Sequence, residues 1–259
     1  MGRFAIIYAD RVGAGRSAEE RYRAGYRAWR SRTRLTWLVA MLPVPALSLV
    51  YASVWPMYSL LAFGVAVGST ATFALTTTLV VPEHVERWRW GAEAEKRTAK
   101  ALRALARRGW IVMHDIPGDY GNRDHVVIAP SGKVFLLDTK APGGRVTVER
   151  GVLRVRRLDD PDDGYERDLT PRMRGDAAGL AGDLAQALPR RPWVMPVVVI
   201  WGRWDGAPHV HADVAWVHGK MLTERLLAHA GTSDPAKQAR VVEALRRRAD
   251  SERSSVRPL

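Results

Sequence analysis

Apolar and polar positions along this chain change period several times, and each change marks an element. Residues 35–81, LTWLVAMLPVPALSLVYASVWPMYSLLAFGVAVGSTATFALTTTLVV, contain no Asp, Glu, Lys, Arg or His. An uncharged run of 47 residues is too long for a buried core helix, and one crossing of a ~30 Å hydrocarbon layer needs only about 20 residues. Two spans fit, near 35–54 and 58–81, broken at Val54-Trp55-Pro56 and with Pro43 and Pro45 kinking the first. From Pro82 the pattern turns helical to about Arg108 and stops at Gly109, where WIVMH reads as a strand. Residues 122–140, NRDHVVIAPSGKVFLLDTK, hold two apolar runs about the turn signal Pro130-Ser131-Gly132, which predicts a β-hairpin. Arg145–Glu149 and Val152–Arg157 alternate about Arg150-Gly151 and predict another. Thr170 reads as a helix N-cap with Pro171 behind it, and Leu180, Leu184 and Leu188 keep helical spacing. The continuous apolar run PVVVIWG at 196–202 predicts a strand covered on both faces. DVAWVHG predicts a short strand, KMLTERLLAHA a helix, and 234–249 a last helix. Helix, several strands, helix, strand, helix, with no internal repeat, is the order of an α/β or α+β domain around a central sheet.

The first hairpin carries charge where its strands end. If its loop is residues 130–132, antiparallel partners have numbers summing to 262, so Asp124 faces Asp138. A loop one residue longer or shorter makes the two diagonal instead. Lys140, two residues past Asp138, shares its face. Opposed Cβ atoms lie roughly 4.5–5.5 Å apart, so two aspartates there repel unless something binds between them. In the preceding helix, WGAEAEKRTAKALRALARRG, Glu95 shares a face with Ala99, Leu102 and Ala106 and points toward the sheet. Glu93 shares a face with Arg97, Lys100 and Arg107, a solvated position suited to an i,i+4 ion pair.

Charge then sets orientation. The formal net charge is +13. Residues 1–34 contribute nine arginines against three acids, and residues 232–259 seven Lys and Arg against four acids. The loop between the two spans has no charge, so the positive-inside rule places the N-terminus in the cytoplasm, and an even number of spans returns the rest to the same side. The basic tails suit anionic lipid headgroups as well as nucleic acid. A secretory signal is excluded by the length of the apolar run, and the lack of cysteine removes disulfides and thiolate metal sites. The expected organisation is a basic cytoplasmic leader (1–34), a two-helix transmembrane hairpin in the lipid bilayer (35–81), a catalytic-type domain (82–231) and a basic C-terminal helix and tail (232–259).

GAEAE at a helix start, RDHVVIAPSGKVFLLDTK, a following GGR and the later PVVVIWG strand resemble the nuclease-related domain (NERD) family, which is grouped with the PD-(D/E)XK nucleases. The resemblance covers about residues 88–205 and is most specific over 121–145. It implies an α/β, restriction-endonuclease-like core, a mixed central sheet flanked by helices. On that pattern Glu95, Asp124 and Asp138 match the metal-binding acids and Lys140 the catalytic lysine, while Arg123 stands where an apolar residue is usual. The implied activity is hydrolysis of phosphodiester bonds in nucleic acid, DNA by preference, with Mg²⁺ or Mn²⁺. The implied setting is the cytoplasmic face of the cell membrane. Such chemistry needs a hard cation on carboxylates and a group that orients or deprotonates water. The rival reading is a catalytically silent, membrane-tethered nucleic-acid-binding or scaffolding module with the same fold.

Other polar clusters read more simply. His125 is expected to pack beside the site, His209-Val210-His211 to be plain surface, and 159–164, DDPDDG, a solvated loop. Arg145, Arg154, Arg156 and Arg157 suit either a phosphate groove or a solvated strand face.

Overall fold

The computed structural model describes residues 14–41, 43–79, 81–118, 121–158, 160 and 162–255. The expected leader therefore lies partly outside the described residues, as do Asp159 and Pro161 of the DDPDDG segment and the last four residues of the tail. The chain divides into two compact units, Ala18–Arg89 and Trp90–Leu259, the latter with the short segment before Ala18.

In the first unit helix α1 (Arg16–Met41) is followed by α2 (Pro43–Val54), a single 3₁₀ turn (Pro56–Tyr58) and α3 (Ser59–Leu79). The break at Trp55 falls where the sequence places it. α2 and α3 pack against each other, yet their apolar side chains remain outward, with Leu60 86% and Met57 83% exposed. A water-facing surface of that kind is far larger than the apolar patches soluble monomers carry. The two spans expected over 35–81, the first kinked at Pro43 and Pro45, are not both found as crossing helices. Among the described residues one helical stretch, Pro56–Phe73, is long and apolar enough to cross a membrane. Leu42 lies outside the described residues, and α2 is described from Pro43 with both prolines in its first turn, where a missing N–H costs little. At twelve residues, α2 is only about 18 Å long.

The second unit is a mixed α/β structure. Helix α4 (Glu83–Ala106) enters it, followed by β1 (Ile111–Ile116), β2 (Arg123–Ile128), β3 (Val134–Lys140), β4 (Arg145–Glu149), β5 (Val152–Arg156) and β6 (Gly164–Asp168). Then come α5 (Thr170–Ala185), β7 (Val194–Ile200), β8 (Arg203–Trp204), β9 (His209–His211), β10 (Val214–His218), α6 (Leu222–Ala228) and α7 (Pro235–Ser255). Six strands form one sheet in the order β1-β2-β3-β7-β10-β9, and four form another in the order β6-β5-β4-β8. β3, β7 and β10 are mutually parallel, and the remaining pairs in the large sheet are antiparallel.

Side-chain alternation on β2 and β3 sorts the helices onto the two faces of this sheet. Val126, Ile128, Val134 and Leu136 pack with Leu180 and Leu184 of α5 and with Val241 and Leu245 of α7. Val127, Phe135 and Leu137 pack with Leu102 and Leu105 of α4 and with Leu222 and Leu226 of α6. β7 is buried along nearly its whole length, as its unbroken apolar run requires. Thr170 is the first residue of α5 and Leu169 its cap, and the free N–H of Thr170 is taken by the Asp168 carboxylate at 2.9 Å.

Candidate functional site

The β2–β3 hairpin fixes the first two acids. Its register pairs His125 with Leu137 and Ile128 with Val134, sums of 262 throughout, so Asp124 falls opposite Asp138 at the next step. The turn closes over residues 129–133, with Gly132 at φ +75°, a left-handed conformation that costs glycine little. One Asp124 oxygen accepts the Thr139 backbone N–H at 2.7 Å, an odd use of a side chain that ties the two strand ends together. Lys140 Nζ lies 2.5 Å from Asp138 Oδ2, both side chains being about a fifth exposed. That contact is off the hydrogen-bonding direction, and Asp138 Oδ2 is buried without a hydrogen bond.

A third aspartate joins the row. β1 pairs with β2 so that His114 faces His125 and Ile116 faces Arg123, and Asp115 therefore stands opposite Asp124. Asp115 has φ +52°, and across it the strand changes face: Met113 and Ile116, three apart, both reach the cluster under α5. The register with β2 is the same on both sides of Asp115, so the positive φ re-aims side chains without a bulge. The Asp115 carboxylate accepts from Asn122 Nδ2 at 2.9 Å and from the Ser17 N–H at 3.2 Å. Asp115 carries no signal in the sequence pattern, because one acid in the strand WIVMHDI reads as an ordinary strand end.

Glu95 approaches from α4. The buried stripe of that helix is Ala94, Thr98, Leu102 and Leu105, and Glu95 sits half-buried at its edge, while Glu93 is exposed and pairs with Arg97 at 3.5 Å. Thr98 anchors the helix at this end: its hydroxyl is 3.1 Å from that of Thr139 and accepts from Trp201 Nε1 at 2.8 Å. The backbone N–H of Trp201 in turn donates to the Lys140 carbonyl at 2.8 Å. Thr98, Thr139 and Trp201 thus hold α4, β3 and the end of β7 in one arrangement. None is ionisable, so charge-based reading passes over them.

The electrostatics follow from this crowding. Burial first, then the Asp124 and Asp115 carboxylates, push Glu95 up to about 8 despite Lys140. Burial and the facing Asp138 push Asp124 up to about 7, against Lys140 and the Thr139 N–H. One ammonium is too little charge for these acids, so protons remain on them near neutrality. His125 is fully buried with Nδ1 2.6 Å from His114 Nδ1, and burial lowers His114 to about 4 and His125 well below its ordinary value. Both rings stay neutral and pack beside the acids.

Arg123, unexpected in a strand interior, is 2% exposed and locked by Asp176 at 2.8 Å and Asp183 at 3.2 Å, both on α5, and by the Pro117 carbonyl. It fastens the residue before Asp124 to the helix beneath.

A hard divalent cation fits these donors by chemistry: oxygen ligands only, an Asp138 Oδ2 that has the Lys140 ammonium beside it but no hydrogen bond, and two neighbouring carboxylates that hold protons for want of positive charge. Among the described residues no three His, Asp or Glu side chains are gathered at metal-ligand spacing. Mg²⁺ is commonly held by one or two carboxylates with waters and substrate oxygens completing the shell, which Asp124 and Asp138 can supply.

The pattern of a known family lies over this site. The model of the nuclease-related domain (NERD) matches residues 90–201, so a nuclease-related domain is found there. The match takes in α4 from Trp90, with Glu95, the three hairpin residues Asp124, Asp138 and Lys140, and β7 with the Trp201 that follows it. No curated protein and no solved structure matches the chain.

Proposed function

We propose that this protein is a membrane-anchored nuclease with a PD-(D/E)XK-type site, facing the cytoplasm, that hydrolyses phosphodiester bonds of DNA with Mg²⁺ or Mn²⁺. What carries the reading is the electrostatic coupling of Glu95 with Asp124, Asp138 and Lys140 at one sheet end, inside the nuclease-related match. Asp124 and Asp138, with Glu95 beside them, would hold the metal, which when bound polarises a phosphoryl oxygen and acidifies water. Lys140 stands 2.5 Å from Asp138, placed to orient the attacking water and stabilise the hydroxide it becomes. Glu95 and Asp124, raised toward neutrality, hold protons in the absence of positive charge and would release them on binding the metal. On this reading the anchor is the apolar segment 35–81: α3 lies in the stretch long and apolar enough to cross, and the end of α1 with α2 would supply a second limb, so that both termini would be cytoplasmic.

The test uses the purified full chain on plasmid, linear and single-stranded DNA with Mg²⁺, Mn²⁺ or EDTA. Metal-dependent cleavage is expected, reduced by at least ~10²-fold in Glu95→Gln, Asp124→Asn, Asp138→Asn and Lys140→Ala. Glu93→Gln, already paired in solvent, should cut normally. A wild-type chain that cuts nothing and binds no divalent ion by calorimetry would be the silent binding module. Reporter fusions at each terminus test the topology, and an external signal from either one defeats it.

A further inference from the structure

Beyond the acids, the smaller sheet carries a second alignment of like charge. β4 pairs with β8 so that Arg145 faces Arg203, and with β5 so that Arg145 also faces Arg156. Residues directly opposed across strands share a face, so Arg203, Arg145 and Arg156 form one row across three adjacent strands. Their alternate neighbours Trp204, Val146 and Val155 are buried and all belong to the core cluster on the inner side, so the arginine row is on the outer face. All three arginines are exposed. Among the described residues Arg145 and Arg203 have no ion-pair partner, and Arg156 has only Glu166 at 4.0 Å. The next row inward differs: Arg154 is clasped by Glu149 and by Glu166 at 2.7 Å. Fixed acids therefore neutralise one row and leave the other bare.

The bare row is held next to the acid site by chain connectivity. Lys140 pairs with Ile200, and Arg145 and Arg203 follow these two residues by five and three positions. At ~3.5 Å per residue neither arginine's Cα can be more than about 18 Å from its strand end. Gly144 helps seat the row, because a Cβ there would collide with the Arg156 carbonyl oxygen and prise β4 from β5. Strands stand about 4.8 Å apart, so three guanidiniums cover roughly 10 Å. One strand of duplex DNA presents a phosphate every ~3.4 Å of its axis, so such a row faces about three of them.

We infer that Arg203, Arg145 and Arg156 form a phosphate-backbone track that leads one nucleic-acid strand to the carboxylate site. The track deepens the nuclease reading and rests on it for the choice of polyanion. Its contribution is sequence-independent affinity driven by counterion release, while the acids do the chemistry.

The experiment measures binding of the full chain to a DNA oligonucleotide in EDTA over a range of salt concentrations, where no cleavage is needed. Each phosphate contact contributes a slope of about −0.7 to −0.9 to log K against log salt. The triple variant R145Q/R156Q/R203Q should bind less tightly at low salt, with a slope shallower by about 2, and R154Q should match wild type in slope. Removing three exposed like charges leaves the buried neighbours in place, so an unchanged thermal midpoint is expected and separates lost contacts from lost fold. A wild-type slope in the triple variant overturns the track. So does an equal loss in R154Q, absence of DNA binding by wild type, or loss in the triple variant of short-chain phosphatidylserine binding alone. A shallower slope with no cleavage of any substrate in Mg²⁺ would keep the track and dismiss the nuclease. Normal cleavage with an unaltered slope would do the reverse.

Discussion

Two neighbouring hairpins set like charge opposite like charge, and the protein treats them in opposite ways. In β2–β3 the acids Asp124 and Asp138 are half-buried, so water cannot screen them and the fold answers by keeping protons, raising Asp124 to about 7. In β4–β5 the arginines Arg145 and Arg156 are exposed, and guanidinium has no neutral form to retreat to. Their repulsion is left to salt, which screens surface charges beyond a Debye length of about 8–10 Å. On the proposed reading the same local geometry serves a cation where the dielectric is low and an anion where it is high. Arg154, one row further along the same hairpin and held by two glutamates, shows the third outcome, in which the protein supplies the counter-charge itself.

The sharpest way to break this contrast is to remove the buried cation that seats the acid hairpin. Arg123→Met leaves Asp176 facing an apolar side chain and Asp183 with Arg248 at 3.6 Å, and breaking a buried pair from one side costs about 3–5 kcal/mol. Urea unfolding should register that loss, and a change under about 1 kcal/mol would mean that the two aspartates find water instead. Next in size is a pH effect. The folded-state value of Asp124 lies above its unfolded value of 3.8, so the fold binds the proton more tightly and its stability falls as pH rises from about 4 through about 7. A tenfold difference in proton affinity between folded and unfolded chain is worth ~1.4 kcal/mol, and allowing for screening at the partly open site the fall should be on the order of 2 kcal/mol. Thermal melts of Asp124→Asn should show a flatter profile, and Mg²⁺ should raise the wild-type midpoint more at alkaline than at acidic pH. A wild-type stability that climbs across this window would refute the crowding of acids. The smallest effect belongs to the exposed side: Arg145→Gln should change stability by at most about 0.5 kcal/mol, and only at low salt. If it matches Asp124→Asn, the two hairpins do not differ in solvation.

Much of this is legible in residue order. The hairpin turn, its register and the facing of Asp124 and Asp138 follow from a period of two and a three-residue turn, which are local properties. Glu93 and Glu95 separate by helical phase alone. Three things are out of reach for reasons that are equally physical. Asp115 enters the acid row only because its backbone adopts φ +52°, a conformation that residue type alone does not announce. Thr98 and Trp201 meet across 103 residues, a distance no local pattern spans. Arg203 faces Arg145 through a two-residue strand, β8, too short to leave a periodic trace. Of the two expected apolar spans one, Pro56–Phe73, is found among the described residues as a stretch long and apolar enough to cross a membrane, because hydropathy reads composition and composition alone does not set helix length.

The bond from Trp201 to Thr98 also bears on the order in which the molecule assembles. The acid hairpin closes over a handful of residues and can form within microseconds, whereas joining Thr98 to Trp201 must close a loop of 103 residues first. The expected sequence of events is therefore a hairpin with its acids aligned but Glu95 unplaced, followed by docking of α4 once β7 has come alongside β3. A nascent chain would then not hold α4 against the acid hairpin through this bond until Trp201 has left the ribosome. Pulse-labelled hydrogen exchange can check this, since amides of β2 and β3 should gain protection before the Trp201 indole N–H, and simultaneous protection would contradict it.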